Sequence, residues 1–496
     1  MSLINISNLT FGYDGSIDNV FENLNFQIDT NWKTALIGRN GRGKTTLLNL
    51  FLGRYEYSGT ISADVDFTYF PYSVGDSGEY TLTILEGLCP QCEQWQIIRE
   101  LNLLKVSDDV LYRPFGLLSN GEQTKALLAA MFLKENSFLL IDEPTNHLDA
   151  EARIAVSDYL SSKKGFILVS HDRAFIDNCV DHIASFNRLG GVTVERGNFS
   201  SWYLNKTKND SFEDAENKKL KKEIKRLEKT AKEKACWSDK AERAKIGFDP
   251  NKVEKSVSRR AYEGAKSKKM MKRAKQIEER LGKAVEEKRS LLKNVETVEK
   301  LKLSPLEFRT DRLITADKLS IYYGKRIVVS DLSFEINRGD AAALCGGNGS
   351  GKSSVLKLVC GDIISFSGLL KKESGLIISY VPQDSSFLSG RLDEFAKENN
   401  IDESLFKAIL RKFDFSRTQF EKDMSDFSAG QRKKVLIAKS LCEKAHLYIW
   451  DEPLNYIDVF SRMQIERLLL EFKPAILFVE HDKSFCDKIA TKKFFV

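Results

Sequence analysis

The sequence predicts an α/β protein of two similar domains, residues 1–204 and 306–496, joined by a long helical hairpin over residues 205–305. Two observations predict it. A glycine-rich loop follows a short apolar run twice, and each time a second apolar run ending in Asp-Glu lies almost the same distance downstream. Between the copies lies a highly charged segment whose apolar residues recur at intervals of three, four and seven, the spacing of helices packed along a narrow seam.

In the first domain, residues 4–11 and 24–28 alternate as strands and flank the turn-like Gly12-Tyr13-Asp14-Gly15. The apolar run 34–37 then leads into Gly38-Arg39-Asn40-Gly41-Arg42-Gly43-Lys44-Thr45, and Leu47, Leu48 and Leu50 begin a helix. A G-x-x-x-x-G-K-[ST] loop between strand and helix closes backbone N–H groups around phosphates. Its lysine charges the terminal phosphates and its hydroxyl ligates Mg²⁺. Downstream, Phe138-Leu139-Leu140-Ile141-Asp142-Glu143-Pro144 reads as a buried strand ending in two carboxylates. Asp142 is expected to hold Mg²⁺ through water and Glu143 to polarise the attacking water. Asp149 and His171, the latter after the apolar run 166–169, complete the set.

The second domain repeats the pattern in Gly346-Gly347-Asn348-Gly349-Ser350-Gly351-Lys352-Ser353, in Leu447-Tyr448-Ile449-Trp450-Asp451-Glu452-Pro453 and in His481. Lys44 precedes Asp142 by 98 residues and Lys352 precedes Asp451 by 99, while the histidines follow by 29 and 30. Two matched sets are an internal repeat rather than coincidence. Each domain also carries a Ser-x-Gly element at a helix start, Ser119-Asn120-Gly121 and Ser428-Ala429-Gly430, 75 and 76 residues after the respective lysine. Such a start offers a hydroxyl and free N–H groups to an anion.

The connector holds 31 Lys+Arg against 18 Asp+Glu over residues 205–305, a net of +13, although the whole chain has 76 against 70. The basic character therefore sits in one segment, which seeks a polyanion. Leu220, Ile224, Leu227 and Ala231 line one arm; Ile277, Leu281, Val285, Leu292, Val295 and Val298 line the other. Gly247 and Pro250 break the helix between them. A first arm from about Phe212 to Lys245 would extend about 50 Å. The start, Met1-Ser2-Leu3-Ile4-Asn5, lacks a signal-peptide pattern, and no stretch approaches the ~20 apolar residues of a membrane span. A cytoplasmic chain is expected, with Cys89 and Cys92 as reduced thiols because no second pair completes a zinc site.

Together these elements resemble the ATP-binding cassette ATPases over nearly the whole chain. The resemblance implies an α/β core with an antiparallel β subdomain and a helical subdomain in each domain. It also implies two cassettes closing head to tail, within one monomeric chain, over two ATP molecules and Mg²⁺. One site would then join Gly38, Asn40, Gly41, Gly43, Lys44, Thr45, Thr46, Asp142, Glu143 and His171 with Ser428 and Gly430. The other would join Gly346, Asn348, Gly349, Gly351, Lys352, Ser353, Ser354, Gln383, Asp451, Glu452 and His481 with Ser119 and Gly121. Tyr13 and Tyr323 stand where the family stacks an aromatic on adenine. Gln383 would couple Mg²⁺ and water to the helical subdomain, but Tyr72 takes that place in the first domain.

Two cassettes with a charged linker and no membrane span resemble the ABC-F branch, whose members act on ribosomes. Asp451-Glu452-Pro453-Leu454-Asn455-Tyr456-Ile457-Asp458 and Glu480-His481-Asp482 are similar to the Lsa and Vga antibiotic-resistance type. That resemblance implies binding to the 70S ribosome through 23S rRNA of the 50S subunit and the P-site tRNA, with no transmembrane subunit. It further implies protection from lincosamides, pleuromutilins and group A streptogramins, with Lys245, Phe248, Lys252, Arg259 and Arg260 at the contacting tip. A housekeeping translation factor of the same branch is the alternative. DNA-repair relatives fit less well, because their coiled coils or zinc modules interrupt a cassette.

Overall fold

The computed structural model describes residues 2–14, 19–146, 148–187, 190–246 and 301–496, together with positions 272, 276, 279–280, 282–283 and 285–286. Phe248, Lys252, Arg259 and Arg260 lie outside the described residues, as do all the second-arm seam positions except Val285. Lys245 is described only as helical backbone. The chain divides into two units, Met1–Trp202 with Val298–Val496, and Tyr203–Thr297.

Each half of the first unit is built on a mainly parallel sheet. In the first half these strands are β3 (Lys33–Ile37), β5 (Asp66–Phe70), β6 (Ser137–Asp142), β7 (Phe166–Val169), β8 (His182–Phe186) and β9 (Val192–Arg196), in the order β5-β6-β7-β3-β8-β9. Phe138, Leu139, Leu140 and Ile141 in β6 are buried, as are all four residues of β7. Strands covered on both faces need such unbroken apolar runs. By contrast β1 (Leu3–Phe11) and β2 (Phe21–Asp29), which form an antiparallel sheet with β4 (Ser58–Ser62), alternate between exposed and buried residues. Register pairs Asp142 with Val169 and Ala35 with Leu168. The loop after β3, Asp142 and His171 therefore all emerge at the carboxyl ends of the strands, where open α/β sheets bind ligands.

The second half repeats this plan. Strands β10 (Arg312–Tyr323), β11 (Arg326–Asn337) and β13 (Ser365–Lys372) form the antiparallel sheet. The parallel sheet has β12 (Ala341–Cys345), β14 (Ile378–Val381), β15 (Leu447–Asp451), β16 (Ile476–Val479) and β17 (Lys492–Phe495), in the order β14-β15-β16-β12-β17. Trp450, Phe478 and Phe485 lie in a core shared with helices inserted between β14 and β15. Among the described residues, no helix is long and apolar enough to cross a membrane.

Helix α7 (Phe199–Ile246) begins well before Phe212, where the charge pattern placed its start. The Asn198 side chain accepts from the Ser201 N–H at 3.0 Å and so caps the helix, while Phe199 and Trp202 are buried. Charge composition could not reveal this start, because the first turn is held by packing. Within the second unit, Ile224 is buried and Leu220 and Leu227 are half-buried, as their spacing predicts.

Candidate nucleotide sites

Each glycine-rich loop opens a helix: α1 (Lys44–Phe51) in the first half and α8 (Lys352–Cys360) in the second. Gly43 has a φ of 85°, and a β-carbon there would lie 2.6 Å from Phe21 Cζ, so no other residue suits the position. Lys44 Nζ donates to the carbonyls of Gly38 at 2.8 Å and Arg39 at 3.1 Å. Lys352 Nζ donates likewise to Gly346 at 3.0 Å and Gly347 at 2.6 Å. Burial lowers the pKa of both lysines, and nearby acidic residues oppose the shift.

At the end of β6, Asp142 accepts from the Thr45 hydroxyl at 2.8 Å and from the Tyr69 hydroxyl at 3.1 Å. Burial raises its pKa, and the two hydroxyls oppose the rise. In the second half, both Asp451 oxygens are buried without a well-formed hydrogen bond. Burial raises this pKa too, against the Ser353 hydroxyl. A desolvated carboxylate beside a hydroxyl fits a hard divalent cation. Thr45 with Asp142, and Ser353 with Asp451, are thus the residues that would hold Mg²⁺.

The neighbouring glutamates adopt left-handed backbone, with φ of 49° at Glu143 and 45° at Glu452. Such strain persists only where the surroundings impose it. Here the Glu143 N–H donates to Val169 O at 2.8 Å and the Glu452 N–H to Val479 O at 3.0 Å. His171 Nε2 stands 3.2 Å from Glu143 Oε1, and His481 Nε2 stands 3.5 Å from Glu452 Oε1. The environments then diverge. Burial, then the Asp142 charge, pushes Glu143 up to about 8. Burial also acts on Glu452, but His481, Gln383 and Lys433 outweigh it and lower its pKa. His171 is held well below the ordinary histidine value by burial and Lys44, so its imidazole is neutral.

The two halves meet head to tail. Ser119 caps α4 (Asn120–Leu133), and Ser428 caps α11 (Ala429–Cys442). A cavity of about 660 Å³ joins Ser119 and Gly121 to Asn348, Gly349, Gly351, Lys352, Ser353, Ser354, Gln383, Glu452 and His481. That volume suits a nucleotide-sized ligand. On the other side, Gly430 packs against Asn40 and Tyr456, and a β-carbon there would lie 2.8 Å from Asn40 Nδ2 and 2.4 Å from Tyr456 O. Asn40 Nδ2 donates to Tyr456 O at 2.9 Å. Arg42 pairs with Asp414 at 3.5 Å, Arg39 lies over the Phe460 ring at 5.7 Å, and Arg173 forms a buried two-pronged ion pair with Glu466.

The structure thus brings Ser119 and Gly121 to the second glycine-rich loop and sets Gly430 against Asn40 of the first. Tyr13 and Tyr323 are exposed and reach the helix starts by their hydroxyls, to Thr46 at 2.7 Å and Ser354 at 3.3 Å. Tyr72 is exposed, whereas Gln383 lines the cavity beside Glu452 and helps to lower its pKa. Gly41 has open space where a β-carbon would stand. Motif reading missed Asn455, which donates to Glu452 Oε2 at 2.5 Å, and Tyr69 on Asp142. It also missed Lys433, which stands against Thr124 when the two Ser-x-Gly helices are aligned.

A family model described as "ABC transporter" matches residues 21–146 and 329–455, just over half of the chain. The chain belongs to this ATP-binding cassette family and is an ATP-hydrolysing enzyme. It is 27% identical to ATP-binding protein Uup of Buchnera aphidicola, covering 100% of this chain and 80% of that protein. It is 26% identical to ribosome protection protein VmlR of Bacillus subtilis, covering 100% of this chain and 86% of that protein. An archaeal ribosome recycling factor, solved with an archaeal ribosomal stalk protein, shares the fold with a TM-score of 0.62 at 18% identity, covering 98% of this chain and 87% of that one. Tandem cassettes together with the likeness to Uup and VmlR indicate the ABC-F branch.

Proposed function

We propose that this ATPase protects the ribosome from antibiotics that bind the 50S peptidyl-transferase region. ATP and Mg²⁺ clamp the cassettes, and the tip of the linker 205–305, including Lys245, Phe248, Lys252, Arg259 and Arg260, enters near the P-site tRNA and 23S rRNA. Lincosamides, pleuromutilins and group A streptogramins then lose their site, and hydrolysis by Glu143 and Glu452 allows release. The observation that carries this reading is the net charge of +13 on residues 205–305, set between two complete ATPase modules. Ribosomal RNA is a dense polyanion, and such contacts should weaken steeply with salt. The likeness to a protein named for ribosome protection supports it.

The test is co-sedimentation of the Glu143→Gln/Glu452→Gln double variant with 70S ribosomes in ATP, at low and high salt. ATP-dependent, salt-sensitive association is expected, and its absence rejects the reading. The alternative is a housekeeping translation factor of the same branch. Lincomycin and tiamulin inhibitory concentrations, with and without the gene in a susceptible host, separate the two. A rise supports protection and unchanged values support housekeeping.

A further inference from the structure

We propose that Lys433 is a positioning residue for ATP hydrolysis in the second cassette. It ties that cassette's Ser-x-Gly helix to its Gln383 loop and to the strand end carrying Asp451 and Glu452. The proposal rests on reading Glu452 as the group that activates water at that site.

Lys433 lies in α11 and is 2% exposed. Its ammonium donates to three backbone carbonyls: Pro382 at 2.8 Å, Gln383 at 3.1 Å and Asp451 at 3.1 Å. An ammonium has three N–H bonds, so its donors are fully used. The third contact matters most. The Asp451 carbonyl belongs to the peptide that leads into Glu452, whose backbone is left-handed. The N–H of that same peptide donates to Val479 O. Lys433 and β16 therefore hold both ends of the peptide that enters Glu452. The same lysine holds the backbone of Gln383, which lines the same cavity as Glu452.

A buried cation needs compensation. Of the charges around Lys433, Glu480 acts most strongly, ahead of Asp451, Glu452 and Asp384. The Glu480 carboxyl accepts the Leu454 N–H at 2.6 Å and the His481 N–H at 3.1 Å, so it steadies the loop after Glu452 and the histidine beside it.

The first cassette lacks both groups. Thr124 stands in place of Lys433, Ser170 in place of Glu480, and Tyr72 in place of Gln383. A threonine hydroxyl on the β-carbon lacks the reach of a four-carbon stem. Ser170 instead pairs with the Thr145 hydroxyl at 3.4 Å. The lysine and the glutamate thus differ together between the two halves of one chain. The structure assigns this frame to the second cassette alone.

The experiment uses the full chain with Glu143→Gln, so that only the second cassette turns over. Lys433→Met keeps the stem and removes the donors. The expected result is a fall in kcat of about tenfold or more, as for other groups that orient catalytic residues from behind, with the KM for ATP changed by less than about twofold. Glu480→Gln should fall in the same direction, and Lys433→Arg should recover part of the loss. An unchanged kcat in Lys433→Met overturns the proposal, as does an equal effect on KM. A Lys433→Met chain that fails to fold, judged by its thermal melt, also overturns it in favour of a purely structural role. The Glu143→Gln/Glu452→Gln chain is the control. If it still hydrolyses ATP at the parental rate, the assignment of Glu452 itself is wrong.

Discussion

Arg173 and Glu466 join the two cassettes through a contact whose energy can be argued from burial. Their side chains are 10% and 8% exposed, and the guanidinium meets both carboxylate oxygens. Removing one partner strands a buried charge and costs about 3–5 kcal/mol. The two deletions are not equivalent. If Arg173 is lost, Glu466 keeps Lys488 at 3.8 Å, a half-exposed partner that contributes under about 1 kcal/mol. Arg173→Met should therefore fall near 3 kcal/mol, and Glu466→Leu should cost more. The double variant replaces both charges with apolar groups and should regain most of the loss, because such swaps are nearly neutral. Urea unfolding of the four chains, followed by tryptophan fluorescence, measures the cycle. Trp202 is a suitable reporter, since it packs at a ring distance of 6.3 Å on Phe460 of the second cassette. Strictly additive single losses, or losses under about 0.5 kcal/mol, would refute the reasoning.

Two further predictions follow from the sites. Glu143 is raised from the ordinary glutamate value to about 8, so its contribution to stability is fully present below about pH 4.5 and disappears as pH rises through about 8. In nucleotide-free, Mg²⁺-free buffer, Glu143→Gln should melt well above the parent at pH 9, and the gap should close near pH 4.5. An equal gap at both pH values would contradict the shift. Gly430→Ala must displace Tyr456 O or Asn40, at a cost of about 1–3 kcal/mol. A β-carbon at Gly121 meets only Leu148 Cδ2 at 3.6 Å, so Gly121→Ala should leave the melting temperature within about one degree. Equal melting shifts for the two would show that the closures of the sites do not differ.

Much of the fold was legible in the residues. Strands β3, β6, β7 and β15 announced themselves by apolar runs, because a strand covered on both faces has no polar side to show. The glycine-rich loops, the Asp-Glu pairs and the histidines were legible because each demands particular residue types at fixed local spacing. Repetition then removed the ambiguity of any single motif. The start of α7 escaped, since charge composition marks only where a helix becomes solvent-exposed.

The tertiary structure alone decided the difference between the two sites. Glu143 and Glu452 occupy the same motif position, yet burial raises one and His481, Gln383 and Lys433 lower the other. Lys433 looks like an ordinary charge in a helix until three carbonyls from two distant segments are seen around it. Residue type and spacing are local properties and can be read along the chain. Desolvation and the partners of a buried charge depend on which segments are brought together, and that is a property of the folded molecule.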